Sequence, residues 1–89
     1  MYKVKVFRFE VSNPSSYSKE EDANSDWFKK ARNRLVSEST IEKTINDFIH
    51  DFVNDGKSVQ ISVNTIDIQY HNNAKGNTIH LVYTIVYQV

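Results

Sequence analysis

Apolar and polar positions alternate from the start of the chain. Tyr2, Val4 and Val6 share one parity, and Phe7, Phe9 and Val11 share the other. Residues 2–11 therefore read as a strand that meets apolar matter on both faces. Asn13-Pro14-Ser15-Ser16 ends it, because proline gives a ladder no donor and Asn and Ser favour turns. The period changes over residues 39–54. Ile41, Ile45, Phe48, Ile49 and Phe52 form one apolar stripe at helical spacing, with Glu42, Lys43, Asn46, Asp47, His50 and Asp51 on the other side. Ser39-Thr40-Ile41-Glu42 fits a capping box, and Gly56 is a left-handed stop.

Alternation returns over residues 57–71, with an irregularity. Val59, Ile61 and Val63 are odd, whereas Ile66, Ile68 and Tyr70 are even. One face serves both sets only if a residue is inserted, so the pattern predicts a β-bulge near Asn64-Thr65, or a change of partner there. His71-Asn72-Asn73-Ala74-Lys75-Gly76-Asn77 has the composition of a hairpin loop. In residues 78–88, Ile79, Leu81, Tyr83, Ile85 and Tyr87 make an unbroken apolar face. His80, Val82, Thr84 and Val86 make a half-apolar second face, which predicts a central strand.

Between the first strand and the main helix, residues 12–26 are polar, with Tyr17 the one aromatic among them. Residues 26–36 suit a short helix capped by Ser25 or Asp26, with Trp27, Phe28, Ala31 and Leu35 as its stripe. The expected fold is α+β in the order β-α-β-β. It has a three-stranded, mainly antiparallel sheet in spatial order 1-3-2, one amphipathic helix on one face and a short extra helix in an inserted segment, residues 12–38. Residues 1–89 make one domain. One helix covers one face, so the other is covered by the insertion or by another subunit. Phe7, Phe9, His80, Val82 and Val86 are the expected interface residues.

Composition narrows the choice of function. Eleven cations balance eleven anions, which gives no global attraction to nucleic acid or to an anionic membrane. There is no cysteine, so disulfides, thiolate metal sites and cysteine nucleophiles are excluded. The opening alternation lacks the apolar core of a signal peptide, and no window reaches a membrane-spanning length. The expectation is a cytoplasmic protein that engages neither membrane nor nucleic acid.

The opening Tyr2-Lys3-Val4-Lys5-Val6-Phe7, the helix Ile41-Glu42-Lys43-Thr44-Ile45-Asn46-Asp47-Phe48-Ile49, the strand Ile66-Asp67-Ile68-Gln69-Tyr70 and the tail Leu81-Val82-Tyr83-Thr84-Ile85-Val86-Tyr87 carry a resemblance. They resemble the small sporulation-associated proteins of Bacillus relatives, a family also carried by firmicute phages and other mobile elements. There an "IKVKVF" strand leads into an acidic helix, followed by an "I-D-I-K/Q-Y" strand and a hairpin ending in "IVY". About two thirds of the chain takes part, and the segment 12–38 is a departure. The resemblance implies no catalytic activity and carries over no site residue.

That departing segment holds the most suggestive cluster. Lys29, Lys30, Arg32 and Arg34 lie beside Trp27 and Phe28, and Tyr17 lies upstream. Cations neutralise phosphates and aromatic faces stack on bases, which suits a nucleotide. The plainer reading makes the aromatics a buried stripe and the cations a solvated face, neutralised by Glu20, Glu21, Asp22 and Asp26. Asp47, His50 and Asp51 share a helical face at metal-ligand spacing without a further ligand, and read as solvated; His71 belongs to the loop and His80 to the second sheet face. With two glycines there is no phosphate loop, and the serines fall in loop sequence, so no enzyme, metal or cofactor is expected. The expected function is non-enzymatic binding. By analogy with phage counter-defence proteins that act as oligomeric sponges, the specific expectation is sequestration of a nucleotide-derived signal between subunits of a homo-oligomer. The alternative is a protein–protein adaptor or structural subunit, binding a host protein through its sheet face.

Overall fold

A computed structural model describes residues 1–13, 26–68 and 77–89, the side chains of Trp27 and Phe28 excepted. Tyr17, residues 14–25 and most of the hairpin loop at 69–76 lie outside the described residues. The elements are β1 (Tyr2–Ser12), α1 (Asp26–Asn33), α2 (Glu38–Asn54), β2 (Val59–Ile68) and β3 (Thr78–Gln88). The sheet order is β1-β3-β2 and both pairings are antiparallel. This is the expected α+β arrangement with β3 at the centre. Helical residues between β1 and β2 form two stretches, broken at 34–37.

Register fixes the faces of the sheet. Phe9 stands opposite Leu81, Phe7 opposite Tyr83, and Ile61 opposite Ile85. These odd-numbered residues face α2. Phe9, Ile41, Ile45 and Ile85 form the buried centre, with Phe7, Val11, Phe48, Ile49, Leu81, Tyr83 and Tyr87 packed around it. Ile85 is wholly buried, which contributes about 1.5–3 kcal/mol. Aromatic rings continue the core along the helix. Phe48 meets Phe7 edge-on at 5.5 Å and Tyr87 at 5.3 Å, and Phe52 lies 4.6 Å from Tyr87.

Both helix ends have a local cause. Ser37 is extended (φ −74°, ψ 155°) and its hydroxyl accepts the Thr40 N–H at 3.3 Å. The cap therefore lies two residues before the expected Ser39. The preceding residue explains the shift: the Val36 N–H donates to the Glu10 carbonyl at 2.8 Å, which pins the chain extended at the edge of β1. At the other end Gly56 has φ 73°. Its N–H donates to the Val53 carbonyl, and the Lys57 N–H donates to the Phe52 carbonyl. That pair of bonds is a Schellman motif, and it needs the left-handed residue glycine supplies.

The expected bulge in β2 is absent. Val59 to Ile68 pair with β3 without a break or a change of partner. The apolar residues simply change face: Val59, Ile61 and Val63 lie on the helix side, and Ile66 and Ile68 on the other. An edge strand whose side chains are exposed on both sides tolerates that switch. The irregularity falls in β1 instead, between Glu10 and Ser12.

Candidate interaction face and cationic cluster

The even-numbered residues build the face turned away from α2. Val4, Val86 and Gln60 form one row across the strands, Val6, Thr84 and Ser62 the next, Arg8, Val82 and Asn64 the third, and Glu10, His80 and Ile66 the fourth. Tyr2, Val4 and Val6 are 60%, 61% and 55% exposed, so this side of β1 is open. The molecule is only 14 Å through its shortest extent, which fits one sheet and one helical layer.

The expected interface residues do not share this face. His80, Val82 and Val86 lie on it, half-buried. Phe7 and Phe9 point the other way, into the core beneath α2. Their place on the open face belongs to Tyr2, Val4 and Val6. The parity of β1 was visible in the sequence; which parity the helix would claim was not.

At the end of the open face four polar side chains are linked. Arg8 Nε donates to His80 Nδ1 at 3.3 Å, and His80 Nε2 lies 3.9 Å from Glu10 Oε1. Arg34 Nε donates to Glu10 Oε2 at 3.1 Å. With Val36 they line a shallow depression of about 460 Å³. Arg34 and His80 thus meet at Glu10, which joins the cationic segment to the sheet. Arg8 and Glu10 completed this cluster unseen, because only the register sets Glu10 opposite His80.

Of the other expected ligand-binding residues, Lys29, Lys30 and Arg32 are exposed. Trp27 lies in α1 with its side chain outside the described set, and Tyr17 is outside it altogether. Ala31, on the same helix, is fully buried, and its carbonyl accepts from the side-chain amide of Asn13, itself fully buried. Asn13 read as a turn residue in the sequence; it ties the end of β1 to α1. On α2, Asn54 Nδ2 donates to His50 Nε2 at 3.0 Å. Among the described residues no three His, Asp or Glu side chains converge as a metal would require. No helix among them is long and apolar enough to cross a membrane.

Comparison of the chain with protein-family models, with curated proteins and with solved structures finds no significant match.

Proposed function

We propose that this protein is a non-enzymatic binding module whose working surface is the open sheet face, and that its partner is a protein presenting an apolar patch. The exposed row Tyr2, Val4 and Val6 carries this reading. Soluble monomers seldom leave a large contiguous apolar patch open unless it meets something. Val82 and Val86 extend the row onto β3. Arg8, Glu10 and His80 bound it at one end, Gln88 at the other, and Gln60 and Ser62 along the β2 side. An apolar centre inside a polar rim is the anatomy of a protein interface.

A photoreactive residue placed at position 4 or 6, in the cells where the protein is native, tests the reading. It yields one discrete cross-linked protein, whereas the same residue at the exposed helix position 47 does not. With the reactive group at position 4, Val6→Lys removes the product. The purified partner then binds with a negative heat-capacity change, the mark of apolar burial. Equal products from positions 4 and 47, or none, rule the reading out.

A second reading is favoured by Arg8 and Arg34, which flank His80 in one depression. Two guanidiniums beside an imidazole suit a phosphate-bearing molecule, and a nucleotide-derived signal sequestered in phage counter-defence is its specific form. Glu10 opposes it by engaging Arg34. Melting-temperature shifts with a panel of cyclic and ADP-ribose-type nucleotides decide the matter. A binder at hundred-fold excess over its Kd adds about 2.7 kcal/mol of stability. A flat response across the panel removes this reading and leaves the first untouched.

A further inference from the structure

The two edges of the sheet are treated differently. β1 is guarded three ways. Lys3, Lys5, Arg8 and Glu10 lie along it, a register shift interrupts it after Glu10, and Val36 donates to the outward Glu10 carbonyl. Charges, bulges and covering segments are the usual means of keeping an edge from pairing. β2 has none of these between Val59 and Ile66: no charge, no proline, no break in register. Among the described residues nothing pairs with its outer side.

The outward groups of β2 can be assigned. The Gln88 N–H donates to the Ser58 carbonyl. Bonds across an antiparallel pair alternate, so even-numbered residues of β2 bond to β3 and odd-numbered ones direct N–H and C=O outward. Those odd residues also carry the exposed apolar side chains of the strand's helix side, Ile61 at 43% and Val63 at 50%.

We infer that β2 pairs with β2 of a second copy of this chain, antiparallel, about a two-fold axis at Ser62. In that register Ile61 stands opposite the partner's Val63, and Val63 opposite the partner's Ile61. The four side chains form one apolar cluster on the helix side. Lys57, two residues before β2, then comes level with the partner's Asp67 at each end, which places opposite charges near each other twice. Sliding the copies two residues one way carries Asp67 past the end of the partner's strand, to the level of Asp55 at the C-cap of α2, and loses the contact with Lys57. Sliding them the other way sets Asp67 against the partner's Val59. All of these registers close under two-fold symmetry, and only the one centred on Ser62 sets Lys57 against Asp67. The result is a six-stranded sheet, and the two open faces become one surface.

This surface is separate from the face proposed to bind a partner, so the two ideas fail independently. Sedimentation of the purified full chain over a range of concentrations tests the inference. The unaltered protein forms a dimer. Val63→Pro forms a monomer with an unchanged circular dichroism spectrum, because the N–H it deletes bonds to nothing in β3. Ile61→Lys is a second route to the monomer that leaves the backbone intact. Asp67→Lys sets Lys57 against lysine at both ends and weakens the dimer about tenfold. Adding Lys57→Asp restores it. A monomeric unaltered protein overturns the inference, as does a dimer that survives both Val63→Pro and Ile61→Lys. Failure of the charge swap to restore the dimer overturns the register centred on Ser62.

Discussion

Ile61 and Ile85 stand opposite each other on the same face of the sheet, yet Ile85 is fully buried and Ile61 is 43% exposed. The difference lies in where α2 sits. Ile41 and Ile45 press on the centre of the sheet around Phe9 and Ile85, leaving the middle of β2 open. A single helix, about 10–12 Å across, is too narrow to cover three strands spaced about 4.8 Å apart together with their side chains. Surface is therefore left over on both sides: Tyr2, Val4 and Val6 below, and Ile61 and Val63 above.

The paired isoleucines respond unequally to truncation. Ile85→Ala opens a cavity in the centre of the core and costs about 3 kcal/mol or more. Ile61→Ala costs less than about 1 kcal/mol when measured at protein concentrations too low for association. Urea denaturation monitored by circular dichroism compares them.

The start of α2 makes a similar contrast. Ser37→Ala removes the hydroxyl that accepts the Thr40 N–H and costs about 1 kcal/mol. Ser39→Ala, inside the first turn, costs no more than a few tenths, since alanine is the better helix former there. Equal effects from the two contradict the cap at Ser37.

Gly56→Ala isolates a backbone effect. An added Cβ meets nothing within 4 Å, so packing does not oppose it. The left-handed φ of 73° does, and the change costs about 1 kcal/mol. Asn, which visits that region more readily, loses less than alanine.

Much of this fold was legible in the sequence because periodicity alone specifies it. The stripe from Ile41 to Phe52 named the helix and its buried side. The doubly apolar run from Ile79 to Tyr87 put β3 in the middle. The hidden parts depended on choices between alternatives that local patterns leave equal. Either parity of β1 could have met the helix; Phe9 won, and Tyr2, Val4 and Val6 were left outside. Two hydroxyls could have capped α2, and the bond from Val36 to Glu10 selected Ser37. β2 changes its apolar face without a bulge because neither side fully covers an edge strand. The cluster of Arg8, His80, Glu10 and Arg34 joins three separated stretches of chain, so no spacing within one stretch announced it.

Carbene footprinting, read by mass spectrometry on the purified chain and on the chain inside its native cells, tests most directly whether the open sheet face is the working surface. In the purified protein the segment Tyr2–Val6 labels readily, as does Val53, which is 54% exposed on α2. In the cell Tyr2–Val6 becomes protected while Val53 stays labelled. Equal labelling of Tyr2–Val6 in both settings, or protection already present in the purified chain, contradicts the account.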